Sequence, residues 1–154
     1  MKTLVMKFGG TSVKDINKIK NVASIIKKNY KKYKLVVVLS AMAGATNSLQ
    51  KLINEIDSTS SEENDLIITS GEQVTVGLLS MLLNKMGIKS KPLLGWQVPI
   101  ITDNTAQESK ILNINEKYLI NILKKFDVIV LAGFQGIDKN CKITSIGRGG
   151  SDTT

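Results

Sequence analysis

The sequence contains no histidine, one cysteine, two prolines and, among 21 basic residues, a single arginine. Without histidine, Ser-His-Asp and Cys-His catalysis are excluded, and with Cys141 alone the usual zinc ligand sets are excluded as well. One cysteine permits no internal disulfide, which fits a reducing cytoplasm; Cys141 itself reads as an inert loop thiol. No run of 18 apolar residues occurs, and the longest stretch, Leu35 to Ala45, is interrupted by Ser40 and is too short to span a bilayer. Lys7 cuts the N-terminal apolar stretch too early for a signal peptide. The chemistry left available rests on Lys, Arg, Asp, Glu, hydroxyls and backbone amides. That inventory suits phosphoryl transfer, where positioning and charge neutralisation do most of the catalysis.

At 154 residues, with 42% apolar and 22% charged residues, the chain has the composition of one globular domain. The net charge is +8. Much of it lies in Lys27 to Lys34, at the end of an expected helix, where lysines complement the helix dipole. An anionic substrate is therefore expected in preference to nucleic acid, and no membrane partner is expected.

Buried strands are expected over Thr3–Phe8, Leu35–Leu39 and Asp127–Ala132, with a further strand over Lys89–Leu94. Ile100–Thr105 reads as short extended chain, and Ser109–Asn113 is a weaker strand candidate. Helices are expected from Asp15, as N-cap, to about Lys32, with Ile16, Ile19, Val22, Ala23 and Ile26 inward, and from Ser48 to Ile56. Two more run from Asp65 to Lys85, closed by Gly87, and from an Asn115 cap to Lys125. Ser58–Asn64 reads as a polar loop and Gly136–Thr144 as a hairpin. Alternating strands and helices predict an α/β fold with a mainly parallel sheet covered on both faces. The turns at Gly9–Ser12, Ser40–Thr46 and Gly133–Gly136 would then gather at the carboxyl ends of the strands, where such sheets bind ligands.

Four places carry candidate chemistry. Lys7 precedes Gly9-Gly10, where glycine amides and an ammonium could receive phosphate oxygens, or where the turn is simply structural. Ser40 and Thr46 either bind a substrate carboxylate or cap the next helix. Glu72 stands in an apolar helical stretch, either exposed or paired with an ammonium group. Arg148, the lone arginine, lies in Gly147-Arg148-Gly149-Gly150-Ser151-Asp152-Thr153-Thr154; its guanidinium fork suits a carboxylate in a way that a lysine does not.

These stretches resemble, in order, the motifs of aspartokinases: Lys7-Phe8-Gly9-Gly10-Thr11-Ser12-Val13, Ser40 to Asn47, Ser70-Gly71-Glu72, Gly95-Trp96-Gln97, Ala132 to Gly136, and Gly147 to Thr154. Asn47 departs from the family's usual Asp, and the link from Ser58 to Asn64 is shorter than in many relatives. The resemblance implies the amino-acid-kinase fold, a three-layer α/β/α sandwich, and transfer of the ATP γ-phosphate, with Mg2+, to the side-chain carboxylate of L-aspartate. That step leads towards lysine, threonine, methionine and diaminopimelate. By the same resemblance Lys7 would stabilise the transferring phosphoryl group, with Gly9, Gly10 and Ser12 around it, and Asp152 would orient Lys7. Arg148 would hold the substrate α-carboxylate and Glu72 its ammonium, with Ser40, Thr46 and Ser151 completing the pocket. No protein metal motif is expected.

The resemblance further implies that residues 1–154 are the N-terminal, aspartate-binding part of a kinase domain, truncated after the final motif. The nucleotide-binding part and the ACT regulatory domains would lie outside them. Ser151 to Thr154 reads as a helix N-cap and first turn without the helix. Alone, such a stretch is expected to bind aspartate, to bind ATP weakly, and to need a complementing chain or a homo-oligomer. The rival readings are another amino-acid kinase, acting on glutamate, acetylglutamate, carbamate or a nucleoside monophosphate, and a non-catalytic remnant or partner of a full-length subunit.

Overall fold

The structure is a computed structural model, and it describes residues 1–57, 59, 62–105 and 107–147. Its frame is a four-stranded parallel sheet in the order β1, β2, β6, β3, formed by Thr3–Phe8, Lys34–Leu39, Val128–Ala132 and Ser90–Leu93. The two central strands are the unbroken apolar runs, and Leu35 to Leu39 and Val128 to Ala132 are buried throughout, as strands covered on both faces must be. Pro92 lies in β3, an edge strand, where its missing N–H is tolerated.

One face of this sheet is covered by α1 (Ile16–Asn29) and α4 (Ser70–Lys85), through Ile19, Val22, Ala23 and Ile26 and through Val76, Leu79 and Leu83. Asp15 caps α1, its carboxylate accepting from Lys18 N–H at 2.9 Å. Ile16, expected inward, is 49% exposed: it stands at the first helical position, ahead of the stripe that meets the sheet. Helix α4 ends in a Schellman turn, with Ile88 N–H bonded to Leu83 O and Gly87 N–H to Asn84 O, and Gly87 at φ 78.

The other face packs on α5 (Glu116–Leu123) and on strands of a second sheet. That sheet has the order β5, β4, β7, β8, from Ile111–Ile114, Ile100–Thr102, Gln135–Ile137 and Ile143–Ser145. Its β4–β7 pairing is parallel and its outer pairings are antiparallel. The hairpin expected over Gly136–Thr144 is the antiparallel β7–β8 pair, the extended stretch expected from Ile100 contains β4, and the weaker strand candidate over Ser109–Asn113 overlaps β5.

Other boundaries shift. Helix α2 spans Ala45–Ile56, three residues ahead of its expected start. The expected loop from Ser58 to Asn64 is helical from Glu62, where α3 (Glu62–Ile68) begins, and Asn64 is buried. The long helix expected from Asp65 is broken at Thr69. By length and composition the run from Glu62 to Lys85 could cross a membrane, but half of its most apolar window is buried within the fold.

Candidate functional site

Strands β1, β2 and β6 are parallel neighbours in register, so the segments leaving their carboxyl ends lie side by side. Ser40 N–H donates to Phe8 O at 3.1 Å, and Gly133 N–H donates to Leu39 O at 3.0 Å. The three turns that the sequence places at one edge are thus joined by backbone hydrogen bonds.

The first turn is a 3₁₀ turn over Gly10–Val13, anchored from below by fully buried Val13. Lys7 is the exposed residue that precedes it, and its Nζ lies over the backbone, 3.7 Å from where a β-carbon on Gly9 would be. Ser12 is exposed beside them. Gly10 packs against the second loop so closely that a β-carbon would stand 2.9 Å from Ala41 O.

The second loop leads into α2 through Gly44, which occupies the N-cap position with φ 85 and no capping side chain. Capping by Ser40 or Thr46 is therefore not their role; both are half-buried, Ser40 beside the strand end and Thr46 in the helix's first turn.

Glu72 lies in the first turn of α4 and is 2% exposed, so the exposed alternative fails. Its Oε1 accepts from Ala41 N–H at 3.0 Å, while Oε2 has no partner among the described residues. Burial pushes its pKa up to about 7, against the pull of the Ala41 hydrogen bond. A buried carboxylate with one unanswered oxygen is costly unless a cation or donor arrives there. Neighbouring Gly71 brings α4 against the loop: a β-carbon on it would stand 2.8 Å from Ala41 Cβ.

The third turn carries Phe134 at φ 65, a left-handed conformation that costs a bulky residue about 1–2 kcal/mol. Phe134 O accepts from Ile146 N–H at 3.0 Å, which draws the end of β8 to the same edge. Gln135, 1% exposed, donates from Nε2 to Thr69 O at 3.0 Å, and its Oε1 accepts from Gly95 N–H at 3.3 Å. The Gly95-Trp96-Gln97 stretch is thereby tied to the break between α3 and α4.

Sequence reasoning placed no role on Gln135 or on Asp65. Asp65 is 3% exposed and accepts from Ser145 Oγ at 2.6 Å. Burial raises its pKa, against hydrogen bonds from Ser145 and from Gln107 N–H. No local signal marks it, because its partner Ser145 stands 80 residues away in sequence. Of the expected site residues, Lys7, Gly9, Gly10, Ser12, Ser40, Thr46 and Glu72 come to this edge. Arg148, Ser151 and Asp152 lie outside the described residues.

Residues 2–154 match the model of the amino acid kinase family. Along its whole length the chain is 43% identical to an aspartokinase of Rickettsia felis and 47% identical to an aspartate kinase of Pseudomonas putida. It spans only 40% and 38% of those two relatives. Among solved structures, 99% of the chain superposes on an aspartate kinase from Synechocystis, with a TM-score of 0.80, 38% identity and 25% of that chain covered. The fold also matches E. coli aspartokinase III in complex with aspartate and ADP, with a TM-score of 0.84, 21% identity and coverage of 99% of this chain and 45% of that one.

Proposed function

The chain belongs to the amino acid kinase family, and from that premise we propose that it carries the L-aspartate side of an aspartate kinase site. The reaction is attack of a side-chain carboxylate oxygen of L-aspartate on the γ-phosphorus of ATP. A new P–O bond forms, the bond to the β-phosphate oxygen breaks, and ADP and 4-phospho-L-aspartate result. The observation that carries this reading is Glu72: a buried carboxylate whose free oxygen suits a substrate ammonium, at the same sheet edge as Lys7 and the Gly9-Gly10 turn.

In this reading Glu72 accepts the α-ammonium, and Ser40 and Thr46 supply hydroxyls from the half-buried rim beside it. Lys7 and the amides of Gly9 and Gly10, with Ser12, face the transferring phosphoryl group, where a fixed positive charge stabilises the charge that develops. Arg148 holds the α-carboxylate, Ser151 lines the pocket and Asp152 orients Lys7; these roles rest on the motif alone. In this reading the Mg2+ arrives with the nucleotide phosphates. A cytoplasmic setting and a place in lysine and diaminopimelate synthesis belong to the same proposal.

A second reading is favoured by the span, about two fifths of the curated relatives. Residues 1–154 would then be the N-terminal half-site, with the nucleotide side and the ACT domains supplied by other sequence, through a complementing chain or within an oligomer. Calorimetric titration with L-aspartate and, separately, with ATP and Mg2+, alongside a coupled ADP-release assay, tests both. Turnover would mean that residues 1–154 carry the nucleotide side as well, and aspartate binding without ATP binding supports an L-aspartate half-site. Binding of neither ligand rejects both and leaves a non-catalytic remnant.

A further inference from the structure

Asp65, Thr69 and Glu72 stand four and then three residues apart, on one side of the run formed by α3 and α4. Each is a hook for a different segment: Asp65 for Ser145 Oγ, Thr69 O for Gln135 Nε2, and Glu72 Oε1 for Ala41 N–H. The last two act at the site, because Thr69 is the N-cap residue of α4 and Glu72 lies in its first turn. The start of α4 therefore has two polar holds. One comes from the Glu72 carboxylate itself, and the other from Gln135, 66 residues away in sequence.

We propose that Gln135 is a positioning residue for ligand binding at Glu72: its amide fixes the start of α4 and so holds the unanswered oxygen of Glu72 where a substrate ammonium meets it. The inference deepens the function proposed above and rests on it for the ligand, whereas the bracing of α4 stands on geometry alone.

Gln135 opens β7 and is 1% exposed. Burying an amide costs free energy unless both of its ends are bonded, and here both are. Nε2 donates to Thr69 O at 3.0 Å, and Oε1 accepts from Gly95 N–H at 3.3 Å. Both partners are buried backbone groups. Packing alone would be served by an apolar side chain of the same length, with no polar group to desolvate. The brace also rests on a firm base: a β-carbon on Gly95 would stand 2.4 Å from Gln135 O. Phe134, the residue before it, keeps its left-handed φ of 65, a conformation that persists only where the surroundings over-determine it. At the other end, the Thr69 side chain does not cap α4, since Oγ1 turns back to Asp65 O at 2.7 Å. Gly71 packs so closely on Ala41 that any shift in the start of α4 changes the Glu72–Ala41 contact directly.

The test uses the 154-residue chain with Q135M, Q135E, Q135N, E72Q and the double variant Q135E/E72Q. Q135M fills the space without either hydrogen bond, Q135E keeps an acceptor for Gly95 N–H but loses the donor to Thr69 O, and Q135N is too short to span both. Titration calorimetry is run with L-aspartate and with succinate, which has the two carboxylates but no ammonium. L-Aspartate affinity is expected to fall by about tenfold in Q135M and Q135E, the equivalent of one hydrogen bond, with succinate affinity unchanged. Q135E/E72Q is expected to bind L-aspartate no more weakly than E72Q, because a residue acting through Glu72 has nothing further to lose. Hydrogen exchange is expected to quicken about tenfold at Ala41 and at residues 70–73 while β2 and β6 stay unchanged. Equal losses for the two ligands, an additive double variant, or exchange quickened evenly through the chain overturns the positioning role. Should Q135M fail to fold, Q135E and Q135N decide; failure of all three overturns it too, because the amide then serves the whole fold. Absence of L-aspartate binding by the wild-type chain would sink the proposed function instead. Unchanged exchange at Ala41 and residues 70–73 in the variants would then refute the brace by itself.

Discussion

Two carboxylates on one helical run, Asp65 in α3 and Glu72 in α4, are buried to nearly the same degree, at 3% and 2% exposure. Their surroundings differ. Asp65 is met by a serine hydroxyl and by backbone amides, while Glu72 is met by one amide and keeps an oxygen without a partner among the described residues. Burial raises both pKa values, and for Glu72 the value reaches about 7. The difference separates two uses of a buried charge. A carboxylate whose bonds are supplied by the fold ties elements together, and one left incomplete is stable only at a cost that a ligand can relieve.

The largest expected effect breaks the comparison from the Glu72 side. In E72Q the amide oxygen can still accept from Ala41 N–H, but the charge is gone. L-Aspartate affinity at pH 8 should fall by roughly 2–5 kcal/mol, the usual cost of removing one partner of a buried ion pair. Titration calorimetry reads this directly, and unchanged affinity in a folded E72Q would remove Glu72 from the ammonium site.

Next comes the pH dependence. The folded pKa of Glu72, about 7, lies above its ordinary value of 4.5, so the folded state favours the protonated group. Its contribution to stability is complete below about pH 4.5 and is lost as pH rises through 7. Relative to E72Q, the wild-type chain should therefore lose on the order of 3 kcal/mol between pH 4.5 and pH 8. Binding has the opposite sign, because an ammonium group needs the ionised carboxylate, and L-aspartate affinity should rise across the same window. Urea unfolding of both proteins at each pH checks the first statement. A parallel pH profile in the two chains would contradict it.

Asp65 gives the third effect. D65A leaves the buried Ser145 hydroxyl without its acceptor, and the expected destabilisation is about 1–3 kcal/mol at constant m-value. A loss of that size in D65A, with L-aspartate affinity far less affected than in E72Q, would sharpen the contrast between hook and site.

The smallest effect is a control. Lys142 and Glu62 form an ion pair of 2.7 Å, close in length to the Ser145–Asp65 bond, but their side chains are 50% and 55% exposed. K142A should leave the midpoint of unfolding unchanged within error, because water replaces an exposed pair. A measurable drop would show that contact length, rather than burial, governs these interactions.

Much of the first sheet was legible locally. Leu35 to Leu39 and Val128 to Ala132 announce doubly covered strands, and Asp15 and Asn115 announce helix starts that the structure confirms with side-chain caps. The second sheet was less so, because Gln135–Ile137 and Ile143–Ser145 are three residues each and mix polar with apolar positions. Helix α2 was placed late because Ala45-Thr46-Asn47 has the composition of a turn, while the helix is started by the left-handed residue Gly44. At the site, Lys7, the glycine turn and Glu72 were visible as residue types, but Asp65 and Gln135 were not. Their importance lies in partners 80 and 66 residues away.

The sequence by itself determined the alternation of strands and helices, the order of the loops and the absence of histidine or metal-thiolate chemistry. Those follow from local periodicity, from residue inventory and from chain order. Only the tertiary structure decided that Glu72 is buried and half answered, that Asp65 is buried and answered, and that Thr46 is not a cap. Desolvation depends on which distant segments pack around a group, and no property of the residue or of its neighbours in sequence carries that information.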